Sequence, residues 1–229
     1  MSRQPIVDYL VARSRLPPPS GLAYDYLLAR DGLYLRAENE HLAVCIPIAS
    51  AEVRGLVPIE PFTSLKHGKL PLSLWERFVR LAHAFAGHRS EVLAVVTFTP
   101  DCSYELRVPP QRVSASRIVY EPLSGSVLEL HSHHRLSATF SRTDDADEVG
   151  LRLYAVVGRL DQQVAETRLR VGAYGYFWPI TFADVFADES FGFIDLGSIS
   201  AEGHEETAPA PDDLFPLSTA PIDTEADDD

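Results

Sequence analysis

In "LPLSLWERFVRLAHAFAGHRSE", Leu74, Phe78, Leu81 and Phe85 recur three or four residues apart. That spacing predicts a helix with one apolar face. Ser73 and Glu76 have the spacing of a capping box at its start, and Gly87 supplies a stop. The next run, "EVLAVVTFT", is almost continuously apolar and reads as a strand buried on both faces. Upstream, "YDYLLARDGLYLRAENEHLAVCIPIA" breaks into short strand-like runs at Asp31-Gly32 and at Glu38-Asn39-Glu40. Asp-Gly between apolar runs is a hairpin signal. The preceding "RLPPPSG" reads as a stiff, extended connector. Downstream, "RIVYEP" and "SVLELHSHH" are two strands flanking Pro122 to Gly125. "TDDADEVG" resembles the first turn of a helix, where acids favour the positive end of the dipole. "LRLYAVVGRL" and "ETRLRVGAYGYFWPI" read as a strand pair.

These patterns divide the chain into a small β-rich unit over residues 1–65, an α/β unit over 66–200 and a tail over 201–229. The tail is rich in Pro, Ala and acids with few apolar residues, so disorder is expected there. A length of 229 residues suits one medium domain, or one domain with a small companion. No run of about 18 apolar residues occurs, so no membrane span is expected. The first fifteen residues carry acid and base within their apolar part and do not read as a signal peptide. With no secretory signal, Cys45 and Cys102 read as reduced thiols in a cytoplasmic protein.

The net charge of -13 is unevenly placed. After Arg170 there is no Lys or Arg, and residues 171–229 hold 14 of the 33 acids, leaving 19 acids against 20 bases in residues 1–170. The body is near neutral, and no basic patch points to nucleic acid.

Candidate chemistry concentrates in "LELHSHHRLSATFSRTDDADE", residues 128–148, where three of the eight histidines fall within four residues. On a strand, His131 and His133 point the same way and can share one ion. Zinc takes His nitrogens, accepts a carboxylate as third ligand and leaves a fourth position open. Asp144 or Asp145, on the first turn of the next helix, could supply that carboxylate. Taken singly, each piece is also what an exposed strand end or a helix cap would show. Three other metal folds fit less well. "GSVLELHSH" begins like a cupin motif, but Ser137 and Ala138 stand where a cupin has Glu. A metallo-β-lactamase has Asp where this chain has Arg135. A TIM-barrel amidohydrolase needs more chain than follows the motif.

The whole string His131-x-His133, seven residues, Ser141, two residues, Asp144 resembles the JAMM motif of the MPN (JAB) metalloproteases, H-x-H-x7-S-x2-D. That family also carries a glutamate where a helix gives way to the first buried strand, and Glu91 stands there, 40 residues before His131. The resemblance covers roughly residues 70–185. With "RLYAVVGRLD", "RLRVGAYGYFWPI" and the leader "LARDGLYLRA", the chain resembles the bacterial, often plasmid-borne PRTRC-system branch. It implies an α/β MPN core with a mixed sheet flanked by helices. It implies one Zn2+ per chain on His131, His133 and Asp144, with Glu91 as the base that activates a zinc-bound water. Ser141 matches the oxyanion donor. The implied activity is hydrolysis of an amide bond at the C-terminus of a ubiquitin-like or sulfur-carrier protein. A ThiF-like activating protein of the same system is an expected partner, with no nucleic acid and no membrane. Glu129, on the same strand face as the histidines, is the second choice for the acid, and Asp145 the fallback ligand. His134 replaces the family's common Pro and, in a regular strand, would alternate away from the site. His83 reads as a partly buried helix residue, Cys102 as a strand-end thiol and Trp178 as packing. An inactive MPN scaffold that binds partners and a cupin-type metal protein are the alternatives.

Overall fold

A computed structural model describes residues 6–87, 90–113 and 118–187. The alternating runs of the first third form β1 (Val7–Val11), β2 (Tyr24–Ala29), β3 (Gly32–Glu38), β4 (Leu42–Ser50) and β5 (Phe62–Leu65). They lie in sequence order in one sheet, β1 parallel to β2 and the rest antiparallel. Gly32 follows the Asp31 turn with φ 151°, and a Cβ there would lie 2.2 Å from the Ala49 carbonyl oxygen. Only glycine lets β3 and β4 approach that closely. Leu27, Ala29, Tyr34, Cys45 and Ile59 form the buried cluster on this sheet. The Pro-rich connector is fastened by Arg36. This buried side chain pairs with Asp25 at 2.7 Å and donates to the carbonyls of Pro17 and Pro18.

The amphipathic stretch becomes α1 (Leu72–Gly87), which buries Leu74, Phe78, Ala82 and Phe85. Ala82 rather than Leu81 completes the inner face, because the steps from Leu74 run four and four before closing by three. The helix starts directly after Pro71, whose carbonyl accepts from the Leu74 N–H at 3.1 Å. Ser73 therefore lies inside the first turn and not ahead of it. A proline just before the first turn costs nothing there, since that N–H has no helical partner. His83 is exposed on the outer face.

There follow β6 (Leu93–Phe98), β7 (Tyr104–Arg107), β8 (Gln111–Val113), β9 (Ile118–Tyr120), β10 (Ser126–Ser132), α2 (Arg142–Asp147), β11 (Leu151–Gly158), β12 (Glu166–Ala173), β13 (Tyr176–Ile180) and α3 (Phe182–Val185). Six of these strands form a mixed sheet in the order β13-β12-β11-β10-β6-β7, while β8 and β9 pair separately. The last apolar stretch is a hairpin of two strands, not one strand. Tyr174 (φ 52°) and Gly175 (φ 89°) both adopt the positive φ of a tight two-residue turn.

The architecture is thus a strand-rich α/β one. Only β10 and β11 run parallel in the six-stranded sheet. Parallel neighbours cannot be joined by a tight turn. The chain therefore leaves β10, crosses the end of the sheet through residues 133–150 and carries α2 on the way. The two large sheets touch within one compact unit. Asn39 donates to the Leu151 carbonyl at 3.1 Å, the Tyr26 and Tyr176 hydroxyls meet at 3.2 Å, and Tyr24 stacks on Tyr174. Both cysteines are free, Cys45 buried and Cys102 exposed. Among the described residues no helix is long and apolar enough to cross a membrane. The acidic segment 201–229 lies outside the described residues.

Candidate metal centre

The centre is built on β10, an interior strand flanked by β6 and β11. Register places His131 opposite Val156 of β11 and Leu93 of β6. The ladder continues past the end of β10. The Ser132 N–H donates to the Val92 carbonyl at 3.0 Å, and the Val92 N–H donates to the Ser132 hydroxyl at 3.0 Å. The His133 N–H donates to the Val157 carbonyl at 2.7 Å. Residues opposite each other in an antiparallel pair share a face. The face that carries Glu129, His131 and His133 therefore also carries Val95, Leu93 and Glu91.

The third group arrives on α2. Ser141 is its N-cap, accepting from the Asp144 N–H at 3.2 Å, and the Asp144 carboxylate accepts back from the Ser141 N–H through Oδ2. This reciprocal pair is the capping box. It turns the other oxygen of Asp144, Oδ1, toward His131 Nε2 at 3.6 Å. His131 Nε2 and His133 Nε2 are 3.1 Å apart. A tetrahedral ion with bonds of about 2.0–2.1 Å to nitrogen separates its ligand atoms by about 3.4 Å, and the two observed gaps bracket that value. His131, His133 and Asp144 are the group that could hold a metal ion among the described residues, their ligand atoms all lying within 4.8 Å of one another.

The protonation states fit that use. His133 Nδ1 lies 3.1 Å from the Ser137 carbonyl. A carbonyl only accepts, so Nδ1 carries a proton and Nε2 is the nitrogen left to face an ion. Burial pushes the His131 imidazole down to about 4, the Asp144 carboxylate opposing, so His131 is neutral at pH 7. Burial also raises the Glu91 carboxyl above the ordinary glutamate value. His133 and His134 pull it down and Asp144 pushes it up.

Glu91, His131, His133, Ser141 and Asp144 all line one groove of about 250 Å³. The other candidate residues do not join the three ligand groups. Glu129 lines the groove but is buried in an ion pair with Arg152 and accepts from the Tyr120 hydroxyl at 2.7 Å. It is held away from proton transfer by those partners. Asp145 points to Arg170, 2.7 Å away, and not to the histidines. His134 is not in a regular strand at all. β10 ends at Ser132, and His134 has φ 54°, with its carbonyl accepting from Leu160 N–H.

Gly158 is a residue of this centre with no signal in the sequence. A Cβ on it would lie 2.3 Å from the Leu136 carbonyl oxygen and 2.6 Å from the Ala138 nitrogen. Its bare backbone lets the loop after His134 pass close over the end of β11, and that loop brings the Ser137 carbonyl to His133. The segments in contact are twenty residues apart in the chain, so no local pattern marks the need for glycine.

A scan against models of known protein families finds no match for this chain, and a search of curated proteins finds none either. The geometry of the groove therefore carries the functional reading.

Proposed function

We propose that the protein is a zinc-dependent metallopeptidase or isopeptidase of the JAMM/MPN type. The observation that carries the reading is the convergence of three ligand atoms with one buried glutamate and one hydroxyl on the same groove. A structural ion needs only ligands. Here a base and a donor are added, and three protein ligands leave a fourth position open.

Zn2+ at this position would supply a Lewis acid and bring the pKa of water near about 7. His131, His133 and Asp144 would hold it. Glu91 takes one proton from the attacking water and returns it to the nitrogen of the leaving amine as the C–N bond breaks. Ser141 keeps its oxygen as the cap acceptor and has its O–H free to donate to the oxyanion of the tetrahedral intermediate. A donor of that kind is worth about 3 kcal/mol. The substrate proposed is an amide bond after the C-terminus of a ubiquitin-like or sulfur-carrier protein, with a ThiF-like activating protein as partner. Both come from the resemblance of the motif to the PRTRC-system branch.

The test is metal analysis and cleavage in the same preparation. The purified chain should contain one zinc per molecule and cleave a Gly-Gly-linked ubiquitin-like fusion. A chelator should stop cleavage, and added Zn2+ should restore it. A chain that binds zinc but cleaves no such fusion would favour a non-catalytic scaffold, and one that binds no zinc would remove the reading altogether.

Gly158→Ala gives a second expected result. The methyl group must push the 136–138 backbone away and weaken the bond from His133 Nδ1 to Ser137. Loss of such an outer support costs about ten- to a hundredfold in metal affinity. A competition titration against a chromophoric chelator measures it, and unchanged affinity would show that the loop does not orient His133.

A further inference from the structure

α2 presents a physical difficulty. It has six residues, "RTDDAD", and none of them is buried. Isolated helices shorter than about 12–15 residues are marginal in water, and most helices in proteins are held by an apolar face. This one has no such face, yet it carries Asp144. Something outside the helix must set its position.

Arg170 on β12 meets the helix at three points. Its guanidinium donates to Glu148, the C-cap residue, through Nε at 2.8 Å, with Nη2 at 2.6 Å from the same oxygen. Through Nη1 it donates to Asp145 at 2.7 Å. Its central carbon lies over the ring of Phe140, the residue just before the N-cap, 3.8 Å from the centroid. The same carbon lies over the Phe177 ring on β13, 3.9 Å from that centroid. Phe140 also sets its ring edge-on to His131. Gly172 leaves the room for this stack: a Cβ there would lie 2.7 Å from the Tyr154 ring and 3.3 Å from Phe177.

We infer that Arg170 is a positioning residue of the metal centre, holding α2, and with it Asp144 and Ser141, against the sheet. The inference rests on the metal-centre reading above. Lysine cannot replace it, because one ammonium has neither the flat faces for two rings nor the fork for two carboxylates. No contact joins Arg170 to the three ligand atoms, but its charge acts on His131, so Arg170→Lys, which keeps the charge, isolates the part that passes through the helix.

The test uses the full chain with Arg170→Lys, which keeps the buried charge, and with Asp145→Asn, which weakens one exposed arm of the clamp by removing its charge. Hydrogen exchange is read in metal-free protein at the amides of Asp144, Asp145 and Glu148, and along β10–β12. Zn2+ affinity is read separately by competition with a chromophoric chelator. In Arg170→Lys the α2 amides should exchange about tenfold faster or more while the strand amides stay protected. Zn2+ affinity should fall by about tenfold or more. Asp145→Asn should move both in the same direction by less. Unchanged α2 exchange and affinity in a folded Arg170→Lys would overturn the inference. So would an equal loss of protection in β10–β12, which would make Arg170 a general fold residue. If Arg170→Lys does not fold, unchanged exchange in Asp145→Asn overturns it. If the wild-type chain binds no Zn2+, the zinc reading fails alone, and exchange at α2 still decides whether Arg170 holds the helix.

Discussion

Glu91→Gln is expected to keep its zinc and lose its hydrolysis. Gln fills the same space and can still hydrogen-bond, but it cannot accept a proton from water. Glu91 is not among the three groups that could hold the ion, so the metal content should equal that of the wild type. Removing a general base costs about a hundredfold or more, and cleavage of the Gly-Gly-linked fusion should fall by at least that. The variant should still bind the fusion. Mass spectrometry for zinc and a cleavage time course on the same sample separate the two effects. Cleavage at the wild-type rate would show that Glu91 is not the base. Glu129 could not simply take over, because Arg152 and Tyr120 already occupy its oxygens.

His131→Ala is expected to empty the site. Of the three ligand groups, only His133 and Asp144 would remain, and activity should vanish with the metal. Asp144 allows a finer separation, because its two oxygens do different work. Asp144→Ala removes a ligand and half of the capping box, the cap alone being worth about 1 kcal/mol. Asp144→Asn should retain the cap through its amide oxygen while losing the carboxylate charge, so zinc affinity falls with less damage to α2. His134→Ala should keep its zinc, since His134 is not among the three groups that could hold the ion. Full zinc occupancy in His131→Ala would refute the assigned ligand set.

What could be read from the sequence is what lies close in the chain. His131 and His133 are two apart in extended chain at a strand's end, and Ser141 and Asp144 three apart across a helix start; both relations are fixed by local geometry. Glu91 stands 40 residues from His131, and only the likeness to a known motif linked the two; the ladder between β6 and β10 then supplies the physical connection. The supports were silent because their partners are distant. Gly158 answers to a loop twenty residues earlier, and Arg170 to groups 22, 25 and 30 positions away. Elsewhere the misreadings are local. The turn at Tyr174-Gly175 hid because tyrosine is not a turn residue by habit, and α1 was shifted in phase because Leu81 is more apolar than the smaller Ala82 that packs inward.

His131 belongs to an interior strand and His133 extends its ladder just past the strand's end, while Asp144 sits on a short helix with no buried side chain. These two parts of the centre need not come apart together. Opening α2 exposes little surface, so it should depend only weakly on denaturant, in contrast to loss of the sheet. The residence time of a bound ion would then follow the opening rate of six residues. A chelator should be able to draw the metal from protein whose strands are still fully folded, at a rate set by the helix and not by the barrier to global unfolding.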